Sequence, residues 1–156
     1  MKGTEEVLDL LNGLLTNELT AVNLYLAQSR LCAHWGYERL AAKFHEDWQE
    51  ESGHANEVVA RILFLEGTPN MERYHQLQVG GTVREQLEID LRVEREAVAF
   101  LNQAIEAARG AGDNGSEALM TKILCAEEED VDWIETQLEQ MAQIGEQNYL
   151  AQQLTK

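Results

Sequence analysis

The sequence predicts an all-α protein: a four-helix bundle with one long crossover connection and a short fifth helix at its C-terminal end. Three observations carry that expectation. The helix-breaking positions that punctuate the chain are few, with Pro69 as the lone proline and glycine breaks at Gly36, Gly67, Gly80–Gly81 and Gly110 to Gly115. Between those breaks the apolar residues keep helical spacing over stretches much longer than an ordinary globular helix. The connections are of two sorts, tight at Trp35 and Gly110 but 17 residues long from Glu66 to Thr82.

The first helix is expected near 5–34, on the stripe Leu11, Leu14, Leu15, Leu19, Val22 and Leu26. The second, near 38–65, carries Phe44, Trp48, Ala55, Val58, Ile62 and Leu65. Leu87, Leu91, Val98, Leu101 and Ile105 mark a third near 83–109, and Leu124, Val131, Ile134, Leu138 and Met141 a fourth near 116–141. A short fifth is placed near 146–154. At about 1.5 Å per residue the four long helices reach roughly 40 Å, which suits a bundle better than globin-like packing. The two tight turns make antiparallel hairpins. The middle link, at about 3.3 Å per extended residue, covers roughly 55 Å, enough to return along the bundle and start the third helix parallel to the second.

The 156 residues are expected to form a single domain, 1–156, large enough to bury about two thirds of its unfolded surface without a disulfide. Lys plus Arg number 12 against 28 Asp plus Glu, a formal charge of −16 that disfavours nucleic acid and anionic membranes and favours cations. Cys32 and Cys125 have neither metal-ligand spacing nor the density of a disulfide scaffold, and both are expected to be buried thiols in a reducing cytosol. Glu5, Glu6 and Asp9 interrupt any apolar stretch near Met1, and no segment is apolar enough to span a membrane, so a cytoplasmic location is expected.

The chemistry is in polar residues standing where the stripes call for apolar ones. Glu18, Glu51, Glu94 and Glu127 each interrupt the apolar stripe of a different helix, and a buried unpaired carboxylate costs several kcal/mol. Any single glutamate in so acidic a chain is more often solvated, but one on each of four core stripes is a different matter. Glu18 and Glu51 are 33 residues apart, as are Glu94 and Glu127, so each hairpin sets its pair at one level across the turn. His54 follows Glu51, and Asp130 follows Glu127, at the i to i+3 spacing that puts them on nearly the same side. The six form a candidate ligand set whose oxygen and imidazole donors suit Fe(II), Mn(II) or Zn(II), with iron the natural choice for two metals bridged by carboxylates. Glu46, Asp47 and Glu50 read first as a solvated face and second as an iron-accepting surface. Tyr25, seven residues after Glu18, is placed either to hydrogen-bond a ligand carboxylate or simply to pack, and the spacing accommodates both.

The segments Met1-Lys2-Gly3, Asn17-Glu18-Leu19, Trp35-Gly36, Arg61 to Gly67 with Pro69-Asn70, and Asn148-Tyr149-Leu150 resemble the bacterioferritins, and the resemblance spans almost the whole chain. The resemblance implies a ferritin-like fold and a hollow 24-mer that oxidises Fe(II) at di-iron ferroxidase sites within its subunits and stores the Fe(III) as a mineral. Glu18, Glu51, His54, Glu94 and Glu127 match the family's ferroxidase ligands. A ferredoxin is the implied electron donor for iron release. Two departures stand out. Where the family has a second histidine this chain has Asp130, giving five carboxylates against the four positive charges of a di-Fe(II) pair, which favours the ferric state and can slow turnover. Where the family has its haem-binding methionine this chain has Ser52, so no haem is expected in a homo-oligomer, and the chain resembles the haem-less subunit type of two-component shells. The alternative to a ferroxidase is therefore a catalytically impaired structural subunit whose partner supplies haem or a complete site. A peroxide-scavenging protein of the rubrerythrin kind is disfavoured because no Cys-x-x-Cys pair is present, and a DNA-protecting mini-ferritin by the acidic charge.

Overall fold

A computed structural model describes residues 1–155. It contains α1 (Glu5–Trp35), α2 (Glu38–Phe64), α3 (Val83–Gly110), α4 (Asn114–Ile144) and the short α5 (Glu146–Ala151), and no strand among the described residues. Local chemistry sets most of the boundaries. Thr4, Thr82 and Asp113 cap α1, α3 and α4, their side-chain oxygens accepting from the backbone N–H groups of Val7, Glu85 and Ser116 at 3.3, 3.2 and 3.0 Å. Gly36 ends α1 in the left-handed region at φ 85°, a conformation that only glycine takes without strain, and α2 begins two residues later. The fourth helix runs past the expected Met141 to Ile144, where Gly145 turns the chain, and the fifth stops at Ala151 rather than 154.

The crossover travels as its length predicts. Residues 68 to 79 run along α1 from its N-terminal toward its C-terminal half, held by hydrogen bonds that climb in order. Asn12 donates to Thr68 O at 3.2 Å and accepts from Asn70 N at 2.7 Å; Arg73 Nε donates to Thr16 Oγ1 at 2.8 Å. Higher up, His75 N donates to Thr20 Oγ1 at 3.0 Å and Gln28 Nε2 to Val79 O at 3.1 Å. This starts α3 parallel to α2. The α1–α2 and α3–α4 hairpins then pack on each other with α1 against α3 and α2 against α4.

The core is in two parts. One apolar cluster gathers Leu11, Leu14, Leu15, Val58, Ile62, Leu101, Ile105, Met120 and Ile123; the other gathers Tyr25, Phe44, Leu87, Ile134, Met141 and Tyr149. On every long helix buried polar residues lie between the two clusters. Two stripe expectations are corrected. Leu26 is exposed, because α1 turns Ala21, Leu24 and Tyr25 inward instead; Cys125 is also exposed, on the outer side of α4 from Ile123 and Glu127.

Candidate metal centre

The polar belt brings the sequence-selected residues together. Glu18, Glu51, Glu94 and Glu127 are each no more than 2 % exposed, and His54 and Asp130 are buried beside them. Their donor atoms fall into two quartets. In one, Glu18, Glu51, His54 and Glu127 offer atoms within 4.8 Å of one another; in the other, Glu51, Glu94, Glu127 and Asp130 do the same. Glu51 and Glu127 belong to both, which is the arrangement that two neighbouring cations sharing carboxylates require.

A cation fits this donor set better than protons alone do. His54 Nδ1 lies 3.2 Å from Glu18 Oε2, 3.4 Å from Glu51 Oε2 and 3.5 Å from Glu127 Oε1, so one N–H faces three carboxylates and can satisfy only one well. Glu18 Oε2 and both Glu127 oxygens are left without a hydrogen-bond partner, although buried oxygens of this kind are normally paired. The protons that are present are held tightly. Burial, and then the neighbouring Glu18, keeps Glu51 well above the ordinary carboxyl range; burial and Glu127 do the same to Glu94. Burial and Glu51 push Glu127 up to about 8. Burial alone would lower the His54 imidazole, but the three carboxylates of Glu127, Glu18 and Glu51 around it outweigh this and raise it to about 12.

Tyr25, for which the spacing left two readings, does both things. Its ring stacks on Phe44 with centroids 6.1 Å apart, and its hydroxyl donates to Glu94 Oε1. Burial and then the Glu94 charge hold that hydroxyl protonated, well above its usual range. Asp47 corrects the expectation of a solvated face. Glu46 and Glu50 are exposed, but Asp47 is only 4 % exposed and is raised to about 7 by burial, against the opposing pull of Lys43. Lys43 donates to Asp47 and to Asp130 Oδ1, the latter at 3.3 Å, and its ammonium stands 4.8 Å from the Trp133 ring centroid. Five carboxylates therefore face not a bare excess of charge but a lysine on the Asp130 side.

Sequence reasoning missed Lys43, Asp47 and Asp90 as parts of this belt. Asp90, fully buried, accepts from Gln28 Nε2 at 2.7 Å. The signal was present: Asp90 precedes Glu94, and Asp47 precedes Glu51, by four residues, the spacing that returns a helix to one face. Ser52, in contrast, points away from the cluster's donors, giving its hydroxyl to Trp48 O at 2.7 Å.

Between α1, α3 and the crossover a cavity of about 310 Å³ reaches Glu18, Glu51, Glu94 and Glu127 from a mouth that includes Asn17, His75 and Gln78. At that mouth His75 Nε2 and Asn17 Oδ1 are 2.7 Å apart.

A family model described as a ferritin-like domain matches residues 8–144. The bacterioferritin BfrA of Mycobacterium tuberculosis is 43% identical over 152 residues, covering 97% of this chain and 96% of the relative. A bacterioferritin of Brucella melitensis is 42% identical over 149 residues, covering 96% and 92%, and one of Rhodobacter capsulatus is 38% identical with the same coverage.

Proposed function

Since this chain belongs to the bacterioferritins, a family with the ferritin-like domain, we propose that it stores iron as a subunit of a hollow cage and oxidises Fe(II) at the belt of Glu18, Glu51, His54, Glu94, Glu127 and Asp130. Iron is here the substrate and then the cargo. The observation that carries the reading is the pair of donor quartets sharing Glu51 and Glu127, with buried oxygens on Glu18 and Glu127 that lack protein partners. Fe(II) and the oxidant, oxygen or peroxide, reach the belt through the cavity under the crossover. Each Fe(II) gives one electron to the oxidant, and the five carboxylates favour the higher charge of the Fe(III) product. Tyr25 holds Glu94 in place from the apolar cluster that flanks the belt. The assembly that fits the reading is the family's 24-mer.

Stopped-flow absorbance tests it. The assembled protein, mixed aerobically with two Fe(II) per subunit, is expected to develop ferric absorbance at least tenfold faster than Glu51→Ala, which removes a carboxylate common to both quartets. Equal rates in the two proteins sink the ferroxidase reading.

A second reading is favoured by Lys43 on Asp130 and by Ser52: a structural subunit whose partner subunit, of a second type, completes oxidation. It predicts slow oxidation by the homo-oligomer, gain of rate in Asp130→His, and two different chains in the native shell. On either reading Ser52 gives haem iron no thioether, so haemin added to the homo-oligomer is expected to leave no low-spin bis-methionine spectrum, and Ser52→Met to produce one.

A further inference from the structure

The two quartets are not equivalent. That of Glu18, Glu51, His54 and Glu127 is closed by an imidazole, a side chain that can itself become a ligand to the metal. The other faces a cation that is not one of its ligands. Lys43 Nζ sits 3.3 Å from Asp130 Oδ1 and also binds Asp47, and among the described residues it is the only lysine or arginine ion-paired with a member of the belt. Asp130 in turn offers an oxygen within 4.8 Å of donor atoms on Glu51, Glu94 and Glu127. A dication entering this quartet meets a positive charge tethered to one of its ligands.

Lys43 has room to leave. Its ammonium lies over Trp133, and beside it a second cavity of about 380 Å³, lined by Lys43, Trp133, Gln137 and Tyr149 among others, opens between α2, α4 and α5. The side chain can withdraw into that space and remain against the ring. Resting on the proposed metal centre, we propose that Lys43 is a built-in counter-cation for the Asp130 position, so that the centre fills in order: first at Glu18, Glu51, His54 and Glu127, and at Glu94 and Asp130 only after Lys43 withdraws. Lys43 is thus a positioning residue for the second ion. By this account the aspartate and the lysine work as a pair that lowers the affinity of one position selectively.

Cobalt(II) is a suitable probe, being stable in air and coloured by its coordination. Calorimetric titration of the assembled parent is expected to resolve one tight ion per subunit and a second bound at least about tenfold more weakly, since at an effective dielectric near 20 a neighbouring ammonium repels a dication by more than that factor. Lys43→Met is expected to raise the second affinity about tenfold or more, with a change in the visible cobalt bands, and Lys43→Arg to keep the parent's two steps. Lys43→Gln serves where Lys43→Met does not fold. Equal affinities in the parent overturn the inference, as does a second affinity in the uncharged variant no higher than the parent's. A folded parent that binds no cobalt overturns the metal centre itself, whereas a tight first ion with an unmoved second step removes only the role given to Lys43.

Discussion

His54 and Glu127 make the apo protein's stability depend on pH in a stated direction. Glu127 rises from 4.5 to about 8 on folding and His54 from 6.5 to about 12, so over these ranges the folded chain binds more protons than the unfolded one. The stability that Glu127 contributes is complete below its unfolded value and is lost as pH climbs through about 8; that of His54 fades from 6.5 upward. Calorimetry of metal-free protein is therefore expected to show Tm falling from pH 5 to pH 8, and Glu127→Gln, neutral throughout, to flatten the trend. A Tm that rises over that interval contradicts the protonated belt. The belt's glutamates were legible because each breaks an apolar stripe. Lys43 was not, since a lysine flanking a buried face reads as solvated unless its partner is known, and Asp47 and Asp90 were hidden by the abundance of carboxylates around them.

At the scale of the element, the hairpin turns set the levels of the glutamates. Gly36 holds φ at 85° with open space about its α-carbon, so in Gly36→Ala the cost is backbone strain and not a clash: about 1 kcal/mol of stability, or about 2–4 °C in Tm. A loss of several times that size in thermal denaturation would mean that the turn also fixes the register of α1 on α2. Helix positions were readable to within three residues because periodicity and caps agree, and the crossover's return was readable from its length alone. What could not be read was the rotation of each helix. The stripe through Leu19, Val22 and Leu26 is offset from the buried line through Glu18, Ala21 and Tyr25, because side chains on both flanks of a long helix are apolar in this chain and only packing decides between them.

For the molecule as a whole, the division of the core matters most. Two apolar clusters hold the four helices above and below a layer of buried carboxyl groups whose charged forms burial disfavours, so the bundle is clamped at both ends and strained in the middle. A divalent ion is expected to relieve that strain: cobalt(II) at 100 times its dissociation constant adds about 2.7 kcal/mol per site, seen as a rise in Tm that Glu51→Ala abolishes. Leu63, Phe64, Met71, Tyr74 and Leu77, large apolar residues on the outside of the chain, suit the subunit contacts of the proposed cage.

The same clamping has a consequence for timing. A protein whose core waits on its metal folds only when the metal arrives, and its abundance tracks supply. Here the two clusters that clamp the bundle are built of apolar side chains, and His54 and Lys43 bring positive charge to the belt between them. On the proposed function, subunits of this kind can be built ahead of iron and kept through its scarcity, so that the first surge of iron meets capacity already in place.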